Sequence, residues 1–235
     1  MEIAVVGGAD GIPAADRPHR LVQTDGGIRI DASFQLIALV LTGAIVGGWQ
    51  LAERTVRVFH QDRNRGKGAA IRRGIEESRG DIVVVHDADL EYDPRDFLRM
   101  LPAILEGKSR VVYGSRFTGE RRNMMFWHWV GNRFLSLVTN VLYNTTLSDM
   151  ETCYKMIDGD LVRSLHLTAN RFDIEPQVTA KILRTGQRIW EVPISYAGRE
   201  IDEGKKISWR DGFPALWTLI RVRFLPRSRI YKSTR

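Results

Sequence analysis

The segment DIVVVHDADLEYDP, residues 81–94, constrains the fold of this chain more than any other. Its apolar run, residues 82–86, is largely β-branched, which predicts a short strand covered on both faces of a sheet. Asp87, Asp89 and Glu91 then occupy alternate positions, so that in an extended chain their side chains point the same way. This spacing suits a hard divalent cation, but acidic residues after a strand can also solvate a loop or cap the next helix.

The elements on either side of this strand alternate in type. Residues 55–60 (TVRVFH) alternate like a strand, and residues 64–78 (NRGKGAAIRRGIEES) predict a glycine-rich turn that opens a helix. Pro94 suits the first turn of a second helix, which runs to Leu105, and residues 110–113 predict a further strand. This alternation predicts an α/β fold built on an open sheet.

Further candidate binding groups are expected near the acidic residues, at one edge of that sheet. Ligands of open α/β sheets bind beyond the carboxyl ends of the strands, which places Arg116, after strand 110–113, beside residues 87–91. A cation next to an arginine is typical of a diphosphate site, although Arg116 alone could form a surface salt bridge. The turn at residues 64–68 presents backbone N–H groups at a helix N-terminus, where an anion could sit; a tight structural turn is the alternative.

The composition narrows the class of partner. The chain has 235 residues, a formal net charge of +7 and a pI near 9.8, so anionic partners are expected: nucleic acid, phosphorylated small molecules or a membrane surface. No recognised nucleic-acid motif is present. The single cysteine, Cys153, excludes an internal disulfide, and no Cys/His cluster offers a zinc site. The first residues lack the pattern of a secretory signal, so a cytosolic polypeptide is expected.

Three segments are unusually apolar. Residues 34–49 fall short of the roughly 20 residues needed to span a bilayer, so a buried helix or hairpin is favoured. Residues 123–147 carry one charge, Arg133, and predict a helix that lies either in the core or against a membrane interface or lipid tail. Residues 208–235 place apolar side chains at helical spacing and end in a basic stretch, which suits an anionic leaflet; a solvated tail is the alternative.

Seven motifs in order resemble a known family: NRGKGAAIRRGI, DADLEYDP, YGSRF, SDMETCYKM, RFDIEPQVTAKI, EVPISY and EGKKISWRDG. Their order and spacing, over about residues 55–222, are similar to the inverting glycosyltransferases of the dolichyl-phosphate (polyprenyl-phosphate) mannose and glucose synthase type, in glycosyltransferase family 2. The resemblance implies a GT-A (Rossmann-like) fold, with a mostly parallel sheet and flanking helices. It implies inverting transfer of mannose or glucose from GDP-mannose or UDP-glucose to a polyprenyl phosphate, on the cytosolic face of a membrane.

The resemblance also implies roles for individual residues. Asp87 and Asp89 (the DxD motif), with Glu91 beside them, would hold a Mg²⁺ or Mn²⁺ ion that neutralises charge on the departing nucleoside diphosphate. Asp89 and Arg116 would stand closest to the reaction. Asp149 and Glu175 would shape the sugar pocket, with structural hydrogen bonding as an equal alternative. The full set of substrate-binding residues implied is Asp87, Gly66, Lys67, Arg133, Asp149, Glu175, Arg199 and Lys205, in which the basic side chains suit phosphate.

The start of the chain departs from the family pattern. The Pro-x-Tyr-Asn-Glu-like and Asp-Asp-Gly-Ser turns that hold the nucleoside in the family do not occur in residues 1–54. We therefore predict an atypical segment 1–54, a glycosyltransferase domain 55–222 and a basic C-terminal tail 223–235. The alternative function is a catalytically impaired domain that lacks a complete nucleoside site and acts as a partner or binding subunit.

Overall fold

The computed structural model of the protein describes residues 2–7, 22–24, 27–29, 35–42, 56–87, 91–122, 124–198 and 212–232. Within these ranges the chain forms a seven-stranded sheet, a separate antiparallel strand pair and six α-helices. The strands are β1 (Glu2–Gly7), β2 (Val22–Thr24), β3 (Gly27–Arg29), β4 (Gln35–Thr42), β5 (Val56–His60), β6 (Ile82–Val85), β7 (Val111–Ser115), β8 (Lys155–Asp158) and β9 (Trp190–Pro193). The helices are α1 (Lys67–Glu77), α2 (Phe97–Leu105), α3 (Phe126–Tyr143), α4 (Gly159–Ser164), α5 (Ile174–Arg184) and α6 (Gly212–Phe224).

The large sheet has the strand order β5-β4-β1-β6-β8-β7-β9, and β2 pairs with β3. The pairs β1·β6 and β7·β9 are parallel, whereas β4 is antiparallel to β1 and β5, and β8 to β6 and β7. All strands of this sheet except β4 and β8 therefore point the same way. The expected mostly parallel α/β sheet is confirmed in strand direction, while its pairing is mixed.

Strand β6 lies at the centre of the core. All its side chains, Ile82 to Val85, are buried, as the continuous apolar run predicted. Apolar side chains of α1, α2 and α5, such as Ile71, Met100 and Val178, belong to the same cluster. Burying each such side chain stabilises the fold by about 1.5–3 kcal/mol. The core thus fixes the end of β6, from which Asp87 emerges.

The predicted helices flanking β6 are confirmed. Helix α1 begins at Lys67, directly after the glycine turn, and α2 follows a 3₁₀ turn that Pro94 opens. The side chain of Asp93 accepts a hydrogen bond from the N–H of Arg95 at 2.9 Å and so caps this turn. Strand β9 is an edge strand, the last in the strand order of the sheet. A proline such as Pro193 is tolerated in an edge strand because its missing N–H need not pair with a neighbouring strand.

Of the two alternatives for residues 34–49, a buried helix or a hairpin, the helix is wrong for the first half. Residues 35–42 form β4, paired on both sides within the sheet, and the later residues of that segment lie outside the described ranges. A short apolar run has no periodicity that separates a buried strand from a buried helix, so only the pairing partners decide.

The last described residues of the chain contact the rest of the domain. After α6, the N–H of His166 donates to the carbonyl of Ile230 at 2.9 Å, and the N–H of Lys232 donates to that of Ser164 at 2.8 Å. The side chain of Ile230 is fully buried. Residues 230–232, in the predicted tail, therefore pack against the end of α4 and the residues that follow it. No helix in the described part of the chain is both long and apolar enough to cross a bilayer.

Candidate active site

The carboxyl ends of β6 and β7 meet at one edge of the sheet, since both strands point the same way. Asp87 follows β6 and Arg116 follows β7, so these two predicted residues share that edge, as expected. Lys67, at the start of α1, and Glu175, in the first turn of α5, approach Asp87. Asp89, Arg199 and Lys205 lie outside the described residues.

Four buried or nearly buried side chains form an alternating series of charges, Asp87, Lys67, Glu175 and Lys155, which we call the lysine–carboxylate chain. Lys67 Nζ donates to Asp87 Oδ2 at 2.7 Å and lies 3.0 Å from Glu175 Oε1. Lys155 Nζ donates to Glu175 Oε2 at 2.6 Å. Two cations thus face two anions, and the series carries no net charge. Lys155 was not predicted, because nothing in its local sequence distinguishes it from a surface lysine.

Opposite charges in the lysine–carboxylate chain keep Lys67 and Glu175 ionised despite their burial. Burial lowers the pKa of Lys67, but the negative charges of Asp87 and Glu175 outweigh this effect and raise it well above the usual value. Burial raises the pKa of Glu175, but the positive charges of Lys155 and Lys67 outweigh this effect and lower it. Removing any one member would leave an uncompensated buried charge.

Asp87 has a carboxylate oxygen that fits a metal ion. Its Oδ1 atom is buried and makes no hydrogen bond within the described residues, while Lys67 occupies Oδ2. An unpaired buried carboxylate oxygen is costly unless a ligand completes it, and hard divalent cations prefer carboxylate oxygens. In the described part of the chain no three His, Cys, Asp or Glu side chains converge on one point. Other ligands would therefore come from Asp89 or from the substrate.

Glu91, the third predicted metal ligand, is held by residues that follow β9. Its Oε2 accepts a hydrogen bond from the hydroxyl of Tyr196 at 2.9 Å, and its backbone carbonyl accepts one from the N–H of Ala197 at 2.9 Å. These contacts tie the segment after the acidic motif to the segment after β9.

Arg116 forms a buried, bidentate ion pair with Asp149. Its Nε and Nη2 atoms donate to Asp149 Oδ2 and Oδ1 at 2.7 and 2.8 Å, and its backbone N–H donates to Oδ2 at 3.0 Å. Asp149 is completely buried and Arg116 is 7% exposed. Burial lowers the pKa of Arg116, but Asp149 outweighs this and raises it well above the usual value. In this structure the Arg116 guanidinium therefore has an internal partner.

Glu191 is a second residue, after Lys155, that was not predicted. Its carboxylate fixes the loop that carries Asp149. Both Glu191 oxygens accept from the N–H of Ser148, at 3.0 and 2.9 Å, and Oε1 also accepts from the N–H of Asp149 at 3.2 Å. The signal that could have found it is its position, in a strand next to β7. The position of Asp149 is thus set by backbone contacts as well as by its ion pair.

Two exposed arginines approach the same ring beside this pair. The guanidinium carbons of Arg121 and Arg133 lie 5.5 and 5.6 Å from the centre of the Phe117 ring. Arg133 also donates to the carbonyl of Ser148 at 3.1 Å, which holds its side chain over the sheet edge. Among the described residues neither arginine forms an ion pair, so their remaining N–H groups can bind an anion. We call Arg121, Arg133 and Phe117 the arginine clamp.

The glycine turn packs against the segment before α5. A Cβ atom on Gly66 would lie 2.4 Å from the carbonyl oxygen of Asn170, and one on Gly68 would lie 2.7 Å from that of Ala169. The N–H of Ala69 donates to the Asn170 carbonyl at 3.1 Å. This close approach supplies a structural reason for both glycines. A phosphate contact at Gly66 stays a prediction.

Two curated relatives of the chain are prenyl-phosphate sugar transferases by name. It is 28% identical over 162 residues to an undecaprenyl-phosphate mannosyltransferase of Micrococcus luteus, which covers 64% of this chain and 65% of the relative. It is 25% identical over 177 residues to a UDP-N-acetylglucosamine–dolichyl-phosphate N-acetylglucosaminyltransferase of Methanococcus voltae, covering 72% and 70%. The chain spans less than two thirds of the Micrococcus luteus protein.

Solved structures with a similar fold include glucosyl-3-phosphoglycerate synthase from Mycobacterium tuberculosis. The complex of that enzyme with Mn²⁺, UDP and phosphoglyceric acid superposes with a TM-score of 0.52 at 19% identity, over 68% of this chain and 55% of that one. Its complex with Mg²⁺ and UDP gives 0.51 at 20% identity, over 68% and 56%. At such low identity the likeness establishes the fold alone, which is the GT-A fold predicted from the sequence.

The family follows from a match to the chain itself. The model of the glycosyl transferase family 2 matches residues 41–164, more than half of the chain. This range includes the acidic motif after β6, the arginine clamp and Asp149. The chain therefore belongs to glycosyl transferase family 2.

Proposed function

We propose that the protein transfers a hexose from a nucleotide sugar to a polyprenyl phosphate, with inversion. The observation that carries this proposal concerns two groups at the same end of the sheet. They are the Asp87 oxygen that makes no hydrogen bond within the described residues, and the arginine clamp. One suits the cation of a nucleoside diphosphate, and the other suits a second, separate anion. The names of the Micrococcus luteus and Methanococcus voltae relatives support a prenyl phosphate as that second anion.

In this proposal different residues bind the metal ion and the acceptor phosphate. Asp87, together with Asp89, would hold a Mg²⁺ or Mn²⁺ ion, which when bound neutralises charge on the departing nucleoside diphosphate. Arg133 and Arg121 orient the acceptor phosphate. A phosphate monoester has a second pKa of about 6 and is largely dianionic at neutral pH, so its oxygen can attack the anomeric carbon with little general-base help. A single displacement of this kind inverts the anomeric centre.

A transfer assay with a panel of donors tests the proposal. GDP-mannose, UDP-glucose and UDP-N-acetylglucosamine would each be incubated with undecaprenyl phosphate and Mg²⁺ or Mn²⁺, and the lipid product extracted and counted. We expect one donor to be used and EDTA to abolish transfer. Absence of transfer from every donor, with nucleotide and metal still bound, would instead support an impaired domain that acts as a partner subunit. The missing nucleoside-holding turns in residues 1–54 are the observation that favours this second function.

The acceptor site is tested by removing one arginine of the clamp. Arg133→Met should raise the KM for the prenyl phosphate roughly 10-fold or more, because a charged hydrogen bond is worth about 1.5–3 kcal/mol, while the KM for the donor changes little. The matched control is Arg73→Met, which removes an exposed arginine from α1 that pairs with Glu77. An unchanged acceptor KM in Arg133→Met would exclude the clamp as the phosphate site.

We further propose that helices α3 and α6 rest on the membrane that carries the acceptor. Each helix exposes an apolar stripe at three- and four-residue spacing, where a helix of a globular protein is normally polar. The stripe on α6 is Phe213, Trp217, Ile220 and Phe224, and the stripe on α3 includes Phe126, Phe134, Leu137 and Val141. The hydroxyl of Tyr143 donates to the carbonyl of Leu219 at 2.6 Å, which joins the two helices. Exposed basic residues beside the stripe, Arg221 and Arg223, suit anionic headgroups.

Vesicle flotation tests this surface. Trp217→Ser should release the protein from vesicles that contain anionic lipid, and added salt should weaken binding of the unmodified chain, since each basic residue near the surface is worth about 1 kcal/mol. Leu98→Ser is the matched control, because Leu98 is also exposed but lies on α2. Equal loss of binding in both variants would contradict a specific docking surface.

A further inference from the structure

One contact of the lysine–carboxylate chain is incomplete. Lys67 Nζ makes a hydrogen bond to Asp87 Oδ2 at 2.7 Å and also lies 3.0 Å from Glu175 Oε1. The Glu175 Oε1 atom is nevertheless buried without a hydrogen bond within the described residues. Two carboxylates thus share one ammonium group, whose hydrogen bond goes to Asp87. An unfilled buried acceptor calls for a second arrangement in which it is filled.

We propose that Lys67 is a two-position counter-ion, which moves its hydrogen bond from Asp87 to Glu175 when a divalent cation binds Asp87. The inference rests on the metal-dependent transfer proposed above. Without a cation, Asp87 needs a positive partner because its side chain is only 14% exposed. With a cation on Asp87, an ammonium group at hydrogen-bond distance would repel it strongly in so buried a place. The lysine stem is flexible, and both acceptors are already within reach.

The Glu175 carboxylate is held in a fixed position, where it can accept the hydrogen bond of Lys67. Its other oxygen, Oε2, is held at 2.6 Å by Lys155, which is 1% exposed and lies 4.9 Å from the centre of the Tyr113 ring. The backbone carbonyl of Glu175 accepts from the hydroxyl of Thr179 at 3.0 Å within α5. The carboxylate therefore stays in place, and Lys67 is the member that can move. Glu175 acts through Lys67 and is a positioning residue.

A double-mutant cycle tests this shift of the Lys67 hydrogen bond, which we call the hand-over. It measures Mn²⁺ affinity and does not rely on transfer activity. Free Mn²⁺ would be measured by electron paramagnetic resonance during titration of the full chain in the presence of UDP or GDP. Glu175→Gln should raise the Kd of Mn²⁺ about tenfold, because Lys67 then stays on Asp87. Lys67→Met should bind Mn²⁺ at least as tightly as the unmodified chain. In the Lys67→Met background, Glu175→Gln should change the Kd less than about threefold.

The matched control is Asp158→Asn, which also neutralises a carboxylate but lies at the opposite end of β6. Asp158 pairs with Arg110 at 2.8 Å and caps α4, so this variant should lower the melting temperature and leave Mn²⁺ affinity unchanged. Equal effects of Glu175→Gln in both backgrounds would overturn the hand-over alone. No Mn²⁺ binding by the unmodified chain would overturn the metal assignment and the hand-over with it.

Crystals of the unmodified chain decide the question if the variants fail to fold. With Mn²⁺ bound, the distance from Lys67 Nζ to Asp87 Oδ2 should exceed ion-pair range, and Nζ should hydrogen-bond to Glu175 Oε1. A Mn²⁺ complex in which Lys67 still bonds to Asp87 would refute the proposal.

Discussion

The Arg116–Asp149 pair offers the sharpest test of how this site is held together. Arg116→Met leaves a carboxylate that is completely buried and has lost the two hydrogen bonds from the guanidinium, while the backbone N–H of residue 116 still donates to it. Breaking a buried pair in this way costs about 3–5 kcal/mol. Typical domains have a free energy of unfolding of about 5–15 kcal/mol, so the loss is a large part of the total. Asp149→Asn should cost a similar amount, because it leaves the Arg116 guanidinium buried without its counter-charge.

Urea unfolding, followed by tryptophan fluorescence and far-UV circular dichroism, measures these changes. The double variant Arg116→Met, Asp149→Leu removes both charges, and a buried pair replaced by apolar groups is often near neutral, so it should recover most of the loss. Arg110→Met is the control, since its pair with Asp158 is about half exposed, with side chains 49% and 34% accessible, and should cost under about 1 kcal/mol.

Two results would refute the reasoning about Arg116. Single variants that lose less than about 1 kcal/mol would show that the pair does not hold the loop. A double variant as unstable as the sum of the singles would show that the two residues act independently. Arg116 would then be available to a ligand, as the family resemblance implied.

Three further changes probe other parts of the domain. Gly68→Ala should destabilise the fold by about 1–3 kcal/mol in the same urea assay, because its Cβ would meet the Ala169 carbonyl, and an unchanged midpoint would show that the turn is loosely packed. Ile230→Ala should cost about 2–4 kcal/mol if the last described segment belongs to the core, whereas a free tail would give no change. Burial raises the pKa of Glu151 from 4.5 to about 7, so this residue favours the folded state below pH 4.5 and loses that contribution as the pH rises through 7. Glu151→Gln should therefore be more stable than the unmodified chain by about 3 kcal/mol at pH 8 and nearly equal to it at pH 4, and a pH-independent difference would contradict this.

The local elements of this fold could be predicted because their signals lie within a few residues. The apolar run of β6, the glycine turn before α1 and the proline that opens α2 each determine their own conformation. The apolar residues of β4 gave no such signal, since a buried strand and a buried helix share the same composition. Strand pairing and direction depend on partners far along the chain, and no local pattern encodes them.

Partners of charged residues could not be predicted for the same reason. Lys67 and Glu175 are brought together only by the packing of α1 against α5, and Arg116 meets Asp149 across a long connection that contains α3. The family resemblance implied that these residues bind a phosphate or a sugar. It did not show that they satisfy one another first.

This internal pairing changes which atoms remain for a ligand. Arg116, Lys67 and Glu175 are already engaged in the fold, so they contribute most by fixing positions rather than by offering free donors. Two of the groups that keep spare hydrogen-bonding capacity are Asp87 Oδ1 and the exposed guanidinium groups of the arginine clamp. Because these groups are of opposite charge, they suit opposite ligands: we expect a cation at the end of β6 and an anion beyond β7. In the transfer proposed above, a sugar nucleotide would reach the first through its metal and a lipid phosphate would reach the second directly, which is the arrangement that a transfer between them requires.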